Sequence, residues 1–308
     1  MIDLLVAGEV MTAVRCDGPL RLGGSATVSV VGAEAGVAIG AARLGHSTAL
    51  GGRVGADESG ALVRRTLAAE QVAVDAVVTD PDATTGLVLF ERRTPDLTRV
   101  EYHRRGSAGS RWGTTDLAPA LALRPRAVHL SGVTAALSES CRTACAELAR
   151  RARLLGAVVS VDLNHRPALW PDDVAGPALA ALAGQADVVI GSPEEFALIG
   201  AADPAELLAG TPGEVVVKNG VHGATSHDAD GPRHRPALRV RAVDPVGAGD
   251  AFCAGWLSAL LDGADRTERL DRAVTVGAFA VTARGDWEGL PRRDELSLLD
   301  LPDGAVVR

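Results

Sequence analysis

One carboxylate set beside a glycine-rich turn dominates the chemistry open to this sequence: Asp244-Pro-Val-Gly-Ala-Gly-Asp-Ala-Phe-Cys-Ala-Gly-Trp256. Pro245 ends the apolar run before it, and Gly247 and Gly249 allow backbone angles and close approaches that side chains forbid. From Ala251 the residues are apolar almost all round, which predicts a buried helix with Asp250 in its first turn. The unpaired N–H groups of Ala248, Gly249 and Asp250, with the positive end of the helix dipole, suit a phosphoryl group whose charge grows during transfer. Asp250 then stands where a base must accept the proton of an attacking hydroxyl. An aspartate at a helix start also serves as a plain N-cap, and Gly247–Asp250 taken alone fits either role.

The full string resembles the signature of the ribokinase-like (PfkB) carbohydrate kinases, which use ATP to phosphorylate a hydroxyl of a sugar or nucleoside. The resemblance implies Asp250 as catalytic base and the backbone of Gly247, Ala248 and Gly249 as the anion hole. It also implies ATP and Mg²⁺ as cofactors, and leaves room for a monovalent cation.

Composition sets the outer bounds. A chain of 308 residues with 47% apolar content can bury a full core. A net charge of −8 argues against a nucleic-acid surface, which needs clustered Lys and Arg. No stretch reaches the roughly 20 apolar residues that span a bilayer. The first residues enter a strand-like run without a basic leader, so a cytoplasmic protein with no membrane partner is expected. The four cysteines show no CxxC spacing and read as reduced and buried.

Strand-like runs at 2–7, 48–53, 127–131, 157–162, 187–190 and 214–218 alternate with helical patterns at 34–44, 58–70, 138–154, 203–209 and 272–283. Such alternation predicts an α/β fold with a mainly parallel sheet covered by helices. Two stretches break it, at about 9–30 and 84–104, and read as strands able to pair into a small separate sheet. Combined with the family resemblance, this gives a ribokinase-like three-layer fold over residues 1–308 as one kinase domain. The small sheet is then a lid over the sugar site and a contact for a homodimer or higher homo-oligomer.

Further polar residues cluster near predicted strand ends. Gly51-Gly-Arg-Val-Gly-Ala-Asp-Glu-Ser-Gly60 is similar to the family's amino-terminal glycine signature, and also to any turn that needs small residues. A dinucleotide fold would need GxGxxG after the first strand, where Gly8-Glu-Val-Met-Thr12 stands instead. Asp162-Leu-Asn-His-Arg166 follows an apolar strand, and Arg166 can fork onto a carboxylate or phosphate, or pair with Asp162. Ser192-Pro-Glu-Glu195 is similar to the family's Asn-x-x-Glu element, with serine for asparagine. Glu195 therefore either places Mg²⁺ indirectly through water or phosphate, or closes a capping box with Ser192. Lys218-Asn-Gly220-Val-His-Gly223 resembles the ATP-side segment, giving Lys218, Gly220, Gly223, Gly247 and Gly249 as nucleotide-binding candidates. Lys218, the single lysine, also reads as an exposed strand-end residue. Ala283-Arg-Gly-Asp286 is expected to lend shape beside the adenine rather than chemistry.

Several segments resemble the 2-keto-3-deoxygluconate kinases: Gly32-Ala-Glu34, Arg99–Ser110, His129–Val133 and Asn164–Trp170. That branch implies Arg104 and Arg166 facing a substrate carboxylate, flanked by Gly32, Gly36, Tyr102, Val133 and Asp250. Gly36 stands where the family has asparagine, Val88 where it has tyrosine, and His103 where it has a second tyrosine. All three departures are expected to fall on the sugar pocket. The expected function is ATP-dependent phosphorylation of a sugar acid such as 2-keto-3-deoxygluconate. The alternatives are a kinase of another sugar or a nucleoside, and a non-catalytic sugar-sensing or scaffolding protein.

Overall fold

The computed structural model describes residues 1–94, 97–210 and 213–301. Its first half runs β1 (Ile2–Ala7), β2 (Met11–Cys16), β3 (Ala26–Val31), α1 (Ala33–Arg43), β4 (Thr48–Gly55), α2 (Glu58–Ala69), β5 (Val72–Asp80), β6 (Leu87–Thr94), β7 (Leu97–His103) and α3 (Leu117–Ala122). The middle comprises β8 (Pro125–Ser131), α4 (Gly132–Leu137), α5 (Glu139–Leu154), β9 (Val158–Asp162), α6 (Asp172–Ala183), β10 (Val188–Gly191) and α7 (Pro193–Leu198). The last part adds β11 (Glu214–Lys218), β12 (Ala224–Asp228), β13 (Gly231–Arg235), α8 (Ala248–Leu261) and α9 (Arg266–Ala280).

Among the described residues the larger sheet has the order β13-β12-β11-β10-β9-β8-β1-β4-β5. Strands β11 through β5 in that order are parallel, while β12 and β13 turn back as an antiparallel edge. Its central strands are apolar on both faces, as burial under two helical layers demands. On β1, Leu4 and Val6 enter the core under α1, α8 and α9, whereas Leu5 and Ala7 enter the opposite core with α3, α5 and α6. Trp256 and Ile39 fill the first core, and Trp112 and Phe196 the second. The ribokinase-like three-layer arrangement expected from the sequence is present, with the smaller sheet beside it in the order β3-β2-β6-β7. There β2 and β6 pair in parallel and the outer pairs are antiparallel.

The six strand runs read from the sequence each became a strand, with ends within a few residues. The helical reading at 203–209 is a 3-10 turn over Pro204–Ala209. Helix α6 escaped the pattern because Gly176 and Pro177 lie inside it. Strand β13 escaped because GPRHR is polar and largely exposed at the sheet edge. No helix among the described residues is long and apolar enough to cross a membrane.

Helices α1 and α8 meet along glycines. A Cβ at Gly40 would lie 2.6 Å from Ala254 Cβ, and one at Gly36 would lie 3.3 Å from Asp250 Cβ. Close approach of the two axes therefore brings both helix amino ends to the carboxyl edge of the sheet, where α/β folds gather ligands.

Candidate active site

A cavity of about 1440 Å³ opens at the carboxyl ends of β1, β8, β9, β10 and β11. Its polar wall includes Glu34, Asn164, Arg166, Lys218, Asp250 and Asp286, and the small sheet contributes Met11, Val88, Phe90, Val100 and Tyr102. A volume above the range of about 300–1,000 Å³ usual for one small ligand has room for two.

Asp250 sits in the first turn of α8, whose N-cap Gly247 adopts the left-handed conformation at φ 77°. Burial, then the charge of Asp162, pushes the Asp250 carboxyl up to about 7, against the pull of Lys218 and Arg166. A carboxylate tuned close to neutral pH is suited to general base work. Its near neighbour is the Asn164 amide, with Nδ2 3.4 Å from Oδ1. Asn164 itself has φ 36°, a strained value for a residue with a side chain, held at a site end rather than in a free turn. At the turn before α8, the Ala248 N–H leans toward the Pro245 carbonyl at 3.4 Å, so Gly249 and Asp250 present the freer donors to the cavity.

Of the other expected residues, Gly32, Tyr102, Arg104, Val133, Arg166, Lys218, Gly220, Gly247 and Gly249 line the cavity. Gly36 and Gly223 do not. Gly36 lies beneath Asp250 in the α1–α8 seam, and Gly223, at φ 94°, forms the tight β11–β12 turn in which any Cβ would collide with the Arg235 carbonyl. Arg104 lines the cavity with a counterion already in place: its Nε donates to Glu9 at 2.7 Å, and the Ser107 hydroxyl donates to the other Glu9 oxygen at 2.6 Å. Arg166 is exposed and, among the described residues, makes only a hydrogen bond to its neighbour's carbonyl, so it does not pair with Asp162.

Asp162 is instead held by Lys218, whose Nζ donates to both carboxylate oxygens at 2.8 and 2.7 Å. This corrects the reading of Lys218 as an exposed strand-end residue: it lines the cavity with its ammonium already paired to Asp162. Its ammonium nonetheless lies near the anion-hole backbone, 3.5 Å from where a Cβ of Gly249 would be. Replacing Lys218 by methionine would leave Asp162, 1% exposed, without its counterion. A loss of about 3–5 kcal/mol in urea unfolding is expected, and an unchanged midpoint would show that the pair contributes no stability.

Glu195 closes the capping box: Oε2 accepts from the Ser192 N–H at 2.8 Å, and Oε1 from the His165 N–H at 2.7 Å. With both oxygens engaged by backbone N–H groups, it ties the start of α7 to the loop after β9. The glycine string 51–60 is structural. Asp57 caps α2 through the Gly60 N–H and takes the Thr85 N–H, and none of these residues lines the cavity. The expected cluster of three departures also dissolves. Val88 alone lines the cavity; His103 points to the other face of β7, 3.2 Å from Glu101.

Asp286 was expected to give shape only, yet its carboxyl lines the cavity, is pushed up to about 6 chiefly by burial, and pairs with Arg15 of β2 at 3.0 Å. Glu34 and Asn164 are further cavity residues to which the motifs gave no role. Their signal was present as polar residues at a helix start and a strand end, but such positions are common in structural roles too.

The family model for the pfkB family carbohydrate kinases matches residues 1–293. The 2-dehydro-3-deoxygluconokinase of Thermoproteus tenax is 36% identical over 94% of this chain and 92% of its own. A PfkB protein structure from Polaromonas sp. JS666 superposes with a TM-score of 0.86 at 35% identity, covering 96% of this chain and 99% of that one. The fructokinase structure from Xylella fastidiosa with bound ATP gives a TM-score of 0.84 at 27% identity over 96% and 97%. With the family model matched over residues 1–293 and a relative 36% identical along nearly the whole length, this chain belongs to the pfkB family of carbohydrate kinases.

Proposed function

We propose that the chain phosphorylates a hydroxyl of a sugar acid of the 2-keto-3-deoxygluconate type, using ATP, with residues 1–308 acting as one catalytic unit. The observation that carries this reading is Asp250, a carboxyl pushed up to about 7 at the amino end of α8, beside an uncommitted Arg166 on the same cavity wall. The Thermoproteus tenax relative supports the substrate class.

In this reading the acceptor hydroxyl lies against Asp250, which takes its proton as the oxygen attacks the γ-phosphorus and the bond from that phosphorus to the bridging oxygen breaks, releasing ADP. The N–H groups of Gly249 and Asp250, with the dipole of α8, hold the charge on the transferring group. Asn164 fixes the rotamer of Asp250. Mg²⁺ carried in with ATP would neutralise phosphate charge during transfer. The residues present fit that ion as a ligand carried in by ATP: among the described residues no group of three His, Cys, Asp or Glu forms a cage, and Mg²⁺ commonly keeps water and phosphate ligands. Gly220 and Val221 line the nucleotide end, and the small sheet excludes water as a lid. The exposed Val28 and Leu97 of that sheet would serve a homodimer contact, which light scattering would test.

Arg166→Ala is expected to raise KM for the sugar acid by about ten- to hundredfold with KM for ATP nearly unchanged. Equal rises in both constants would assign Arg166 to the nucleotide or to structure. A second reading, a kinase of a neutral sugar, is favoured by the engagement of Arg104 with Glu9. ADP release measured across 2-keto-3-deoxygluconate, its galacto epimer, fructose, ribose and adenosine separates the two.

A further inference from the structure

Helix α1 brings one polar side chain into the cavity. Gly32 and Ala33 line it with backbone and a methyl group, Gly36 has no side chain to offer, and Glu34 lies between them. Glu34 is 1% exposed, and the hydroxyl of Thr134 donates to its Oε1. Its Oε2, equally buried, has no hydrogen-bond partner among the described residues. A buried carboxyl oxygen without a partner is costly, and such groups in native structures call for a ligand or another specific use. The charged groups around it are Asp250 of α8 and Arg104 of the β7 end. Arg104 already pairs with Glu9, and no ion pair to Glu34 forms among the described residues.

The packing of α1 on α8 makes the arrangement specific. A side chain at position 36 would start 3.3 Å from the Asp250 Cβ and would need the base to give by a few tenths of an ångström, whereas the glycine present here offers no polar group of its own. Two residues earlier in the same helical turn, Glu34 is held by Thr134 and by close packing over Gly8, where any Cβ would collide with it. Its orientation is thus set before a ligand arrives, the condition for a group that selects among ligands.

We propose that Glu34 is a specificity-determining residue whose free carboxyl oxygen takes a hydroxyl of the acceptor sugar, so that acceptors lacking a hydroxyl at that point are disfavoured. This rests on the sugar-kinase reading and adds to it a contact on the α1 side. A site built to pair with a substrate hydroxyl discriminates strongly against the analogue without one, because its own buried group is then left unpaired.

The experiment is steady-state kinetics of wild type, Glu34→Ala and Glu34→Gln on the acceptor panel, with thermal melts of each. Glu34→Ala is expected to raise KM for the preferred acceptor by about ten- to hundredfold and Glu34→Gln by less, with KM for ATP within about twofold. Acceptors should also converge in kcat/KM, because the contact that separates them is gone. Glu34→Gln keeps the length and the Thr134 bond, so it remains informative if Glu34→Ala fails to fold. A lowered melting temperature with an unchanged acceptor KM and unchanged ranking would make Glu34 a structural residue and overturn the inference. Wild-type protein that binds ATP but turns over no acceptor would overturn the kinase reading itself, and this contact with it.

Discussion

Asp250→Asn should lower phosphoryl transfer by about 10²–10⁴-fold with little change in either KM, because the amide keeps the shape of the carboxylate but cannot accept the acceptor's proton. Turnover near the wild-type level would remove Asp250 from the base role. The same variant carries a stability signature of defined sign. The Asp250 carboxyl, held up to about 7 in the fold from an ordinary 3.8, binds its proton more tightly folded than unfolded. Its favourable contribution is therefore full below about pH 4 and is lost as pH rises through about 7. Asp250→Asn should then match wild type in acid and exceed it in denaturant resistance above neutrality. For wild-type activity, kcat/KM should climb through about pH 7 as the base ionises. That limb belongs jointly to Asp250 and Glu34, because burial pushes Glu34 up to about 7 as well and the two charges oppose each other.

Gly247→Ala should be nearly as damaging, for a different reason. Position 247 has φ 77°, and a Cβ there would run into the carbonyl of Asp286, with the Asp286 carbonyl carbon at 2.9 Å. The clash cannot be relieved by a side-chain rotation, since backbone lies on both sides. The turn that aims the Gly249 and Asp250 N–H groups must shift, and loss of about 10²–10³-fold in kcat is expected, as when an oxyanion donor is removed. Strain at the left-handed position adds about 1–3 kcal/mol of destabilisation. A kcat within threefold of wild type would show that the turn does not position the transferring group.

The layering, the parallel sheet and the helix at 251 were legible because each rests on local pattern: apolar runs, glycine and proline at element ends, and one uninterrupted apolar helix. Asp250 was legible because its spacing to Gly247 and Gly249 is contained within four residues. The partners of charged residues were not. Lys218 finds Asp162 across 56 positions, Arg104 finds Glu9 across 95, and Arg15 finds Asp286 across 271. Motif reading placed Lys218 and Arg104 at the site, where both line the cavity, but it sees the charge and not the counterion. Face assignment failed for a related reason: His103 and Tyr102 are neighbours in sequence, yet strand alternation sends one to solvent and the other to the cavity.

Two consecutive residues, Asp286 and Trp287, tie the small sheet to the loop over Gly247. Asp286 binds Arg15 of β2, and the Trp287 indole N–H donates to the Val30 carbonyl of β3 at 2.7 Å. Trp112, Trp170 and Trp256 are each at most 5% exposed within the cores, so Trp287 is the indole at the junction where the sheets meet. The molecule thereby carries its own optical gauge. Any shift of the small sheet relative to the catalytic turn must strain one indole hydrogen bond, and its emission, followed in stopped flow, would time that shift against product formation without an attached dye.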